Sequence, residues 1–349
     1  MSKTIIWWGK GDIHYSRNRI IRQQLQELGY HIVDFRPKIS ALGDIQAAFS
    51  GLTKKADYIW VPCFRQRDFE GAYRYSSHNN IPIIFDPLIS AYDKQVYERK
   101  KLNKKSRKAH QLRYCENHMM AQSEHIIADT AAHRDFFVQE LGASAEKITI
   151  IPVSAEAELF QPQAPNQAQQ EVLFYGSFVP LQGADLIVQA AKLTPHIKWT
   201  LLGDGKGKEA CVELAKGHDH IHFEPWIDYA DLPSRIGAAK LLLGVFGDTP
   251  KAKRVIPNKV YQSLACGRPV ISIQTSAYLH PNHDDQCLTK TGILQIENTP
   301  EQLSQSVLDV FSENFDYEQA CAAALETYQT YYSQSLVKQQ LELLLTPKN

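Results

Sequence analysis

One plan is written twice into this 349-residue chain. Ile5 to Trp8 is a short apolar run broken by Gly9-Lys-Gly-Asp12, after which Ile20, Ile21, Leu25 and Leu28 recur at helical spacing up to Gly29. Val172 to Tyr175 repeats the run, Gly176 breaks it, and Leu186, Ile187, Ala190, Ala191 and Leu193 supply the helix that follows Gly183. A strand, a glycine loop and an amphipathic helix open a Rossmann-like unit, so two such openings imply two units. Length agrees, because 349 residues exceed most single cores and suit two domains of ordinary size.

Further strands are predicted at His31 to Phe35, Tyr58 to Pro62, Ile81 to Phe85, His125 to Ala128 and Lys147 to Pro152. In the second half they fall at Ile197 to Leu202, His220 to Glu224, Leu241 to Phe246, Pro269 to Ile273 and Gly292 to Ile296, with helical patterns between. Alternation of this kind builds a mostly parallel sheet with helices on both faces. Two terminal helices are predicted, Thr299 to Phe311 and one long one from Tyr317 to Leu345. The stretch Phe160 to Gln170 carries two prolines and five glutamines and has little to bury, so it reads as the linker. The predicted division is residues 1–160, 171–325, and a final helix at 326–349.

Ligands of such sheets bind beyond the carboxyl ends of the strands. The loop and helix after Leu241 to Phe246 hold the strongest ligand chemistry there. Pro257 suits a first helical position and Gly267 a left-handed cap. A helix starting at Pro257 turns the amides of Asn258, Lys259 and Val260 outward at the positive end of its dipole, which makes an anion site. Lys259 and Gln262 are three apart and share one face, and Lys251, Lys253 and Arg254 crowd the preceding loop. A polar surface face on an ordinary helix is the alternative, and the clustered cations weigh against it.

In the first half, the strand ends bring forward Gly11 and Asp12, Arg65 and Arg67, Asp86, and Thr130 and His133. Gly9-x-Gly11 lacks the third glycine of a dinucleotide fingerprint. Its glycines read either as clearance for a substrate, with Asp12 as an acceptor contact, or as a plain surface loop. Asp129 or Thr130 reads as an N-cap and His133 as a first-turn surface residue. Asp86, an acid at a strand end before a proline, has the stronger claim on a ligand.

Charge is balanced at 38 basic against 38 acidic residues, without the basicity of a nucleic-acid binder. Six scattered cysteines with no C-x-x-C pair fit reduced thiols and argue against structural zinc. The N-terminal apolar run is too short for a signal peptide, and nothing approaches the roughly 20 apolar residues of a membrane span. A cytoplasmic protein is therefore expected. The one strongly basic stretch, Arg99 to Arg113, reads either as a solvated helix face or as a contact with anionic lipid, worth about 1 kcal/mol per basic residue near such a surface.

Gln262-Ser-Leu-Ala-Cys-Gly-Arg-Pro-Val-Ile271 resembles the nucleotide-binding end of the retaining GT-B glycosyltransferases of family 4, the glycosyl transferases group 1. The usual pattern there is Glu, seven residues, Glu, then Ala-(Met)-Ala-x-Gly-x-Pro-Val-Ile. In this chain Arg254 and Gln262 stand where the two acids would be, and Ile256-Pro-Asn-Lys-Val-Tyr-Gln262 is similar to a variant with Asn-Lys before the helix. Gly176 to Gly183 and Gly203 to Gly205 carry the rest of the resemblance.

The resemblance implies an α/β GT-B fold, two Rossmann-like domains facing across a cleft, with a C-terminal helix crossing back to the first. It implies transfer of a sugar, with retention, from a nucleoside diphosphate sugar to a hydroxyl of a polysaccharide, lipopolysaccharide or lipid-linked acceptor. The nucleotide sugar is the co-substrate and no other cofactor is implied. No metal is implied either, since no Asp-x-Asp pair sits at a strand end. Many members of that family dock on the inner membrane, which would give Arg99 to Arg113 a lipid partner.

Lys259, Arg254 and the amides after Pro257 and Asn258 are assigned to the leaving diphosphate, Gln262 to the ribose, and Asp248 or Lys251 to the sugar. Gly176, Ser177 and Gln182 fill the first loop, where the family usually has an Arg and a Lys. Gly203 and Asp204 fill the second, Trp226 stands as a wall for the base, and Asp86, Arg65, Gly11 and Asp12 lie on the acceptor side. A nucleotide-sugar 2-epimerase of the same fold and a non-catalytic binding subunit, the latter suggested by the two lost acids, are the rival readings.

Overall fold

The structure is a computed structural model, which describes residues 3–53, 55–165, 170–278 and 287–346. Two compact units account for it: residues up to Val153 together with those from Gln334 on, and Ser154–Ser333. In the first, β1 (Lys3–Trp8), β2 (Tyr30–Phe35), β3 (Tyr58–Val61), β4 (Ile83–Phe85), β5 (His125–Ala128) and β6 (Ile148–Ile150) form one sheet in the order β2-β1-β3-β4-β5-β6. Every pairing is parallel.

Parallel neighbours need crossovers, supplied by α1 (Ser16–Glu27), α2 (Gly43–Phe49), α3 (Phe69–Asn79), the single turn α4 (Ala91–Asp93), α5 (Arg107–Gln122) and α6 (Ala131–Gln139). The strand order reverses after β2, so right-handed crossovers put α1 on one face and the later helices on the other. Packing follows that division. Ile20, Ile21 and Leu25 of α1 share a core with Ile5 and Trp7, while Ala47, Phe69, Ala72, Met120 and Phe137 share one with Ile6 and Trp8. Alternate residues of β1 thus serve two cores, which is why it reads as an unbroken apolar run.

The second sheet holds β7 (Glu171–Gly176), β8 (Lys198–Gly203), β9 (Ile221–Glu224), β10 (Leu241–Leu243), β11 (Val270–Ile273) and β12 (Ile293–Ile296), ordered β12-β11-β10-β7-β8-β9 and again wholly parallel. Its helices are α7 (Ala184–Lys192), α8 (Lys208–Leu214), α9 (Leu232–Gly237), α10 (Asn258–Ala265), α11 (Leu288–Thr291), α12 (Pro300–Val310) and α13 (Tyr317–Thr327). The chain runs outward from β7 to β9, then returns to the other side of β7 at β10. The switch of direction lies between β7 and β10, and in the first sheet between β1 and β3. Those are the places where loops part and ligands enter.

The long terminal helix is interrupted. α13 stops at Thr327, Tyr328–Tyr332 winds as a wider π turn, Ser333 is extended, and α14 (Gln334–Leu345) follows. Tyr332 is buried edge-on to Tyr261 in the second unit, whereas Val337, Leu341 and Leu344 of α14 pack with α1 in the first. Lys338 pairs with Glu27 at 3.0 Å. The break at Ser333 lets one apolar pattern serve two cores.

The chain enters the second unit at Ser154, before the predicted linker. Phe160 is buried against Tyr229, and the Arg268 guanidinium donates to the carbonyls of Gln163 and Ala164 at 3.0 and 2.8 Å. That stretch is therefore fastened down as far as Ala164, and residues 166–169 lie outside those described. Among the described residues no helix is long and apolar enough to cross a membrane.

Candidate functional site

At the switch point of the second sheet, the loops after β7, β8 and β10 interlock backbone to backbone. Phe246 N–H donates to the Gln182 carbonyl at 3.0 Å and Gly247 N–H to that of Leu181 at 3.1 Å. Gly183 is left-handed at φ 62°, and a Cβ there would strike the Phe246 backbone. Gly203, at φ 125°, lies equally close under the Gly176 carbonyl. Only glycine fits either place, so the glycines of the two loops are there for close approach.

Against this platform starts α10. Pro257 is its N-cap, with φ −71° and ψ 151°, rather than its first helical residue, and Gly267 at φ 67° ends it. Every residue from Lys259 to Ala265 is buried, so the helix does not present a polar surface face. Lys259 is 5% exposed. Its ammonium has no hydrogen-bond partner among the described residues and lies 3.7 Å from the centre of the Phe174 ring and 5.7 Å from that of Tyr175. Burial pushes its pKa well below the ordinary lysine range.

Gln262, 4% exposed, is held at both ends. Its Oε1 accepts from the Tyr175 hydroxyl at 2.9 Å, and its Nε2 donates to the Tyr229 oxygen at 3.0 Å. The Tyr229 hydroxyl donates in turn to Glu156 Oε2 at 2.9 Å. Tyr175 also reaches the Lys259 carbonyl at 3.2 Å, and burial raises its phenol pKa well above the usual value. Tyr175, Tyr229 and Glu156 escaped the sequence reading. Tyr175 closes an apolar strand and looked like core, and no spacing rule joins positions 156, 175, 229 and 262.

The remaining donor-side candidates divide. Gln182 folds its amide over Gly176, within 2.6 Å of where a Cβ would stand, and its Oε1 is buried without a partner among the described residues. Trp226 is half exposed and its ring edges against Gly203, so it walls this edge instead of filling the core. Ser177, Asp204 and Asp248 are exposed, Asp204 accepting from Gly205 N–H at 2.8 Å. On the loop after β10, Lys251 is buried and Arg254 only partly so, in a tight turn where Arg254 N–H donates to the Lys251 carbonyl.

In the first unit the switch point brings together Gly11, Asp12 and Arg65. The Arg65 side chain lies across Gly9 and Gly11 and is held by buried Asp68, its Nε at 2.5 Å. Asp12 is exposed and accepts from His14 N–H at 2.8 Å. Phe64, next to Arg65, sits at φ 63°, a strained value for an aromatic residue, and meets the Tyr15 ring edge-on.

Asp86 does not join them. It is 1% exposed and takes both Nε and Nη2 of Arg17 at 3.0 and 3.2 Å, while Arg17 Nη1 donates to the carbonyls of Ile151 and Pro152. A guanidinium buried in α1 needs a counter-charge, and the acid at the end of β4 supplies it. Asp86 is a brace, not a ligand-facing acid. Thr130 does cap α6, accepting from His133 N–H, but His133 is buried on Asp129 rather than at the surface. In the basic stretch, Arg99, Lys100, Lys101, Lys104, Lys105, Arg107, Lys108 and Arg113 are all exposed.

Residues 169–313 match the family model of Glycosyl transferases group 1. The D-inositol 3-phosphate glycosyltransferase of Xylanimonas cellulosilytica is 21% identical over 248 residues, 61% of this chain and 58% of that protein. That of Paenarthrobacter aurescens is 22% identical, over 61% of this chain and 59% of its own length. The chain thus spans less than two thirds of these relatives. Among solved structures, Anabaena Alr3699/HepE in complex with UDP superposes with a TM-score of 0.72 at 14% identity, covering 98% of this chain and 99% of that one. Sucrose-phosphate synthase of Thermosynechococcus elongatus does so with a TM-score of 0.73 at 14% identity, covering 98% of each. The fold is accordingly the two-domain, Rossmann-like GT-B architecture.

Proposed function

We propose that this protein is a glycosyltransferase that moves a sugar, with retention, from a nucleoside diphosphate sugar to a hydroxyl of a polysaccharide, lipopolysaccharide or lipid-linked acceptor. One observation carries the reading: an ammonium buried without a hydrogen-bond partner among the described residues, on Lys259, in the first turn of a helix that starts at the switch point of the second sheet. An unpaired cation in the interior is costly, and a diphosphate arriving at the helix N-terminus is the partner that would offset it. The family match over residues 169–313 supports the same end of the molecule. The complexes of Alr3699/HepE with UDP and with UDP-glucose make a uridine nucleotide the first to try.

Transfer asks for a stabilised leaving diphosphate and an oriented acceptor rather than a protein nucleophile. Lys259, Arg254 and the amides of Asn258 and Lys259 meet the developing charge, so the reaction needs no metal; Val260 N–H, expected to join them, is given to the Pro257 carbonyl at 2.9 Å. Gln262 faces the ribose, Trp226 the base, and Asp248 or Lys251 the sugar. In the first unit, Gly11, Asp12 and Arg65 meet the acceptor. The protein works in the cytoplasm, with Arg99 to Arg113 toward the anionic inner face of the membrane.

Calorimetric titration with UDP and GDP, followed by turnover against a panel of nucleotide sugars, tests this. A non-catalytic binding subunit is the second reading, favoured by Arg254 and Gln262 in place of acids. Binding of neither nucleotide at millimolar concentration would leave only a scaffold role. Epimer formed without acceptor would move the protein to the 2-epimerases.

A further inference from the structure

The row of contacts through Gln262 has a direction. The Tyr175 hydroxyl has two acceptors in reach, Gln262 Oε1 at 2.9 Å and the Lys259 carbonyl at 3.2 Å, and gives its one proton to the nearer, so the amide turns its nitrogen to Tyr229. The Tyr229 oxygen accepts there, and its own proton is given to Glu156 Oε2. A residue at 262 must therefore accept at one end and donate at the other, which an amide does and a carboxylate does not. The row closes on an acid carried by the segment that enters the second unit. That segment is itself fastened: the Tyr328 hydroxyl donates to the Ala155 carbonyl at 3.2 Å, and Phe160 packs edge-on against the Tyr229 ring at 5.7 Å.

We propose that Glu156 is a positioning residue of the donor site: acting through Tyr229, it sets the orientation of the Gln262 amide and holds the negative charge that would otherwise stand at position 262. Its functional half rests on the nucleotide reading above. Position 262 can be acidic only when position 156 is not. A glutamate at 262 with Glu156 in place sets two carboxylates on the single proton of Tyr229. With a glutamine at 156 the row reverses, Tyr229 giving its proton to the new acid and accepting from the new amide.

The test compares wild type, Gln262→Glu, Glu156→Gln and the double variant by melting temperature without ligand and by UDP and GDP affinity at pH 7.5 and 5.5. Gln262→Glu should weaken nucleotide binding at least about tenfold at the higher pH, the scale of an unsatisfied buried polar group. Much of that loss should return at the lower pH, because carboxylates sharing one proton titrate late. The double variant should bind better than Gln262→Glu and come within about threefold of wild type, since the Tyr229 proton then meets a single carboxylate. A double variant no better than Gln262→Glu, or a loss equal at the two pH values, overturns the proposal.

If wild type binds neither nucleotide, the functional reading fails, and the melting temperatures of the four proteins still decide the row by the same reciprocal pattern. Should Gln262→Glu not fold, Glu156→Gln and Tyr229→Phe read the same coupling. Both act on the Tyr229–Glu156 hydrogen bond, which Tyr229→Phe removes together with the one from Gln262, so the pair should cost no more than Tyr229→Phe alone, and fully additive losses overturn the assignment.

Discussion

The Lys259 ammonium lies 3.7 Å from the centre of the Phe174 ring. An aromatic face attracts a cation but leaves its three N–H groups unsatisfied, and burial favours the neutral amine. An anion bound at the start of α10 would favour the charged form instead. Nucleotide binding should then take up a proton at any pH above the depressed pKa of the free protein and below that of the complex. Affinity should rise as pH falls through that window. Titrations in buffers of different ionisation enthalpy measure the uptake directly, and a heat independent of buffer would count against Lys259 as the diphosphate ligand.

The same residue links pH to stability. The unfolded chain keeps the lysine proton up to its ordinary pKa, while the folded one has lost it earlier, so the unfolded state binds more protons between the two values. Stability should therefore rise with pH across that interval, and Lys259→Met should remove the slope. The substitution should also hold or raise the melting temperature of the free protein, since an apolar group replaces an unpaired buried amine. Nucleotide binding should weaken by about 1.5 to 3 kcal/mol, the scale of a charge-assisted contact. Unchanged affinity would remove Lys259 from the site.

Asp86 gives the opposite pattern. Its carboxylate meets Arg17 with both partners 1% exposed, and removing one partner of a buried pair leaves a charge behind. Asp86→Ala should cost about 3 to 5 kcal/mol of stability in urea unfolding. Nucleotide affinity should stay as it is, because Asp86 belongs to the first unit and the α10 platform to the second. A variant of full stability but lost turnover would return Asp86 to the acceptor side, from which its burial removes it.

These cases mark how far the sequence could be read. Both sheets were legible because strands buried on two faces are short apolar runs, and because glycine closes β1, β7 and β8, where the Arg65 and Asp68 side chains, the Gln182 amide and the Gly176 carbonyl come close. The start of α10 was legible from Pro257 and its end from Gly267. What escaped depends on partners remote in the chain. Nothing near Asp86 announces Arg17, and no periodicity links Glu156 to Gln262 through Tyr229. The break at Ser333 was hidden for a related reason: the apolar pattern continues through it, while the core that it serves changes.

The exposed run from Arg99 to Arg113 supports a prediction of a different kind. If it draws the protein to anionic lipid, changing Lys100, Lys101, Lys104 and Lys105 together to glutamine should abolish co-sedimentation with phosphatidylserine vesicles and leave nucleotide binding intact. The attraction should fade as salt shortens the screening length toward 8 Å and below, near physiological ionic strength and above. Wild-type protein that ignores such vesicles at low salt would make the run a solvated face.

Arg254 is where the chain departs furthest from the pattern that it resembles. A guanidinium offers a fork of donors and no acceptor, so it suits a phosphate better than a neutral hydroxyl. The first loop of the second unit also lacks the usual cations, and there Gln182 lies over Gly176 with its Oε1 buried and, among the described residues, unpartnered. A cation moved from one side of the platform to the other accounts for both departures. Arg254→Glu, which puts in the acid of that pattern, should then lower turnover rather than raise it. Adding Gln182→Lys should recover part of the loss, because an ammonium at 182 returns charge to the strand end where the family carries it. The comparison is made on turnover numbers for the single and the double variant, with melting temperatures to confirm that both fold. Full activity in Arg254→Glu alone would show that the cation at this position takes no part in the reaction.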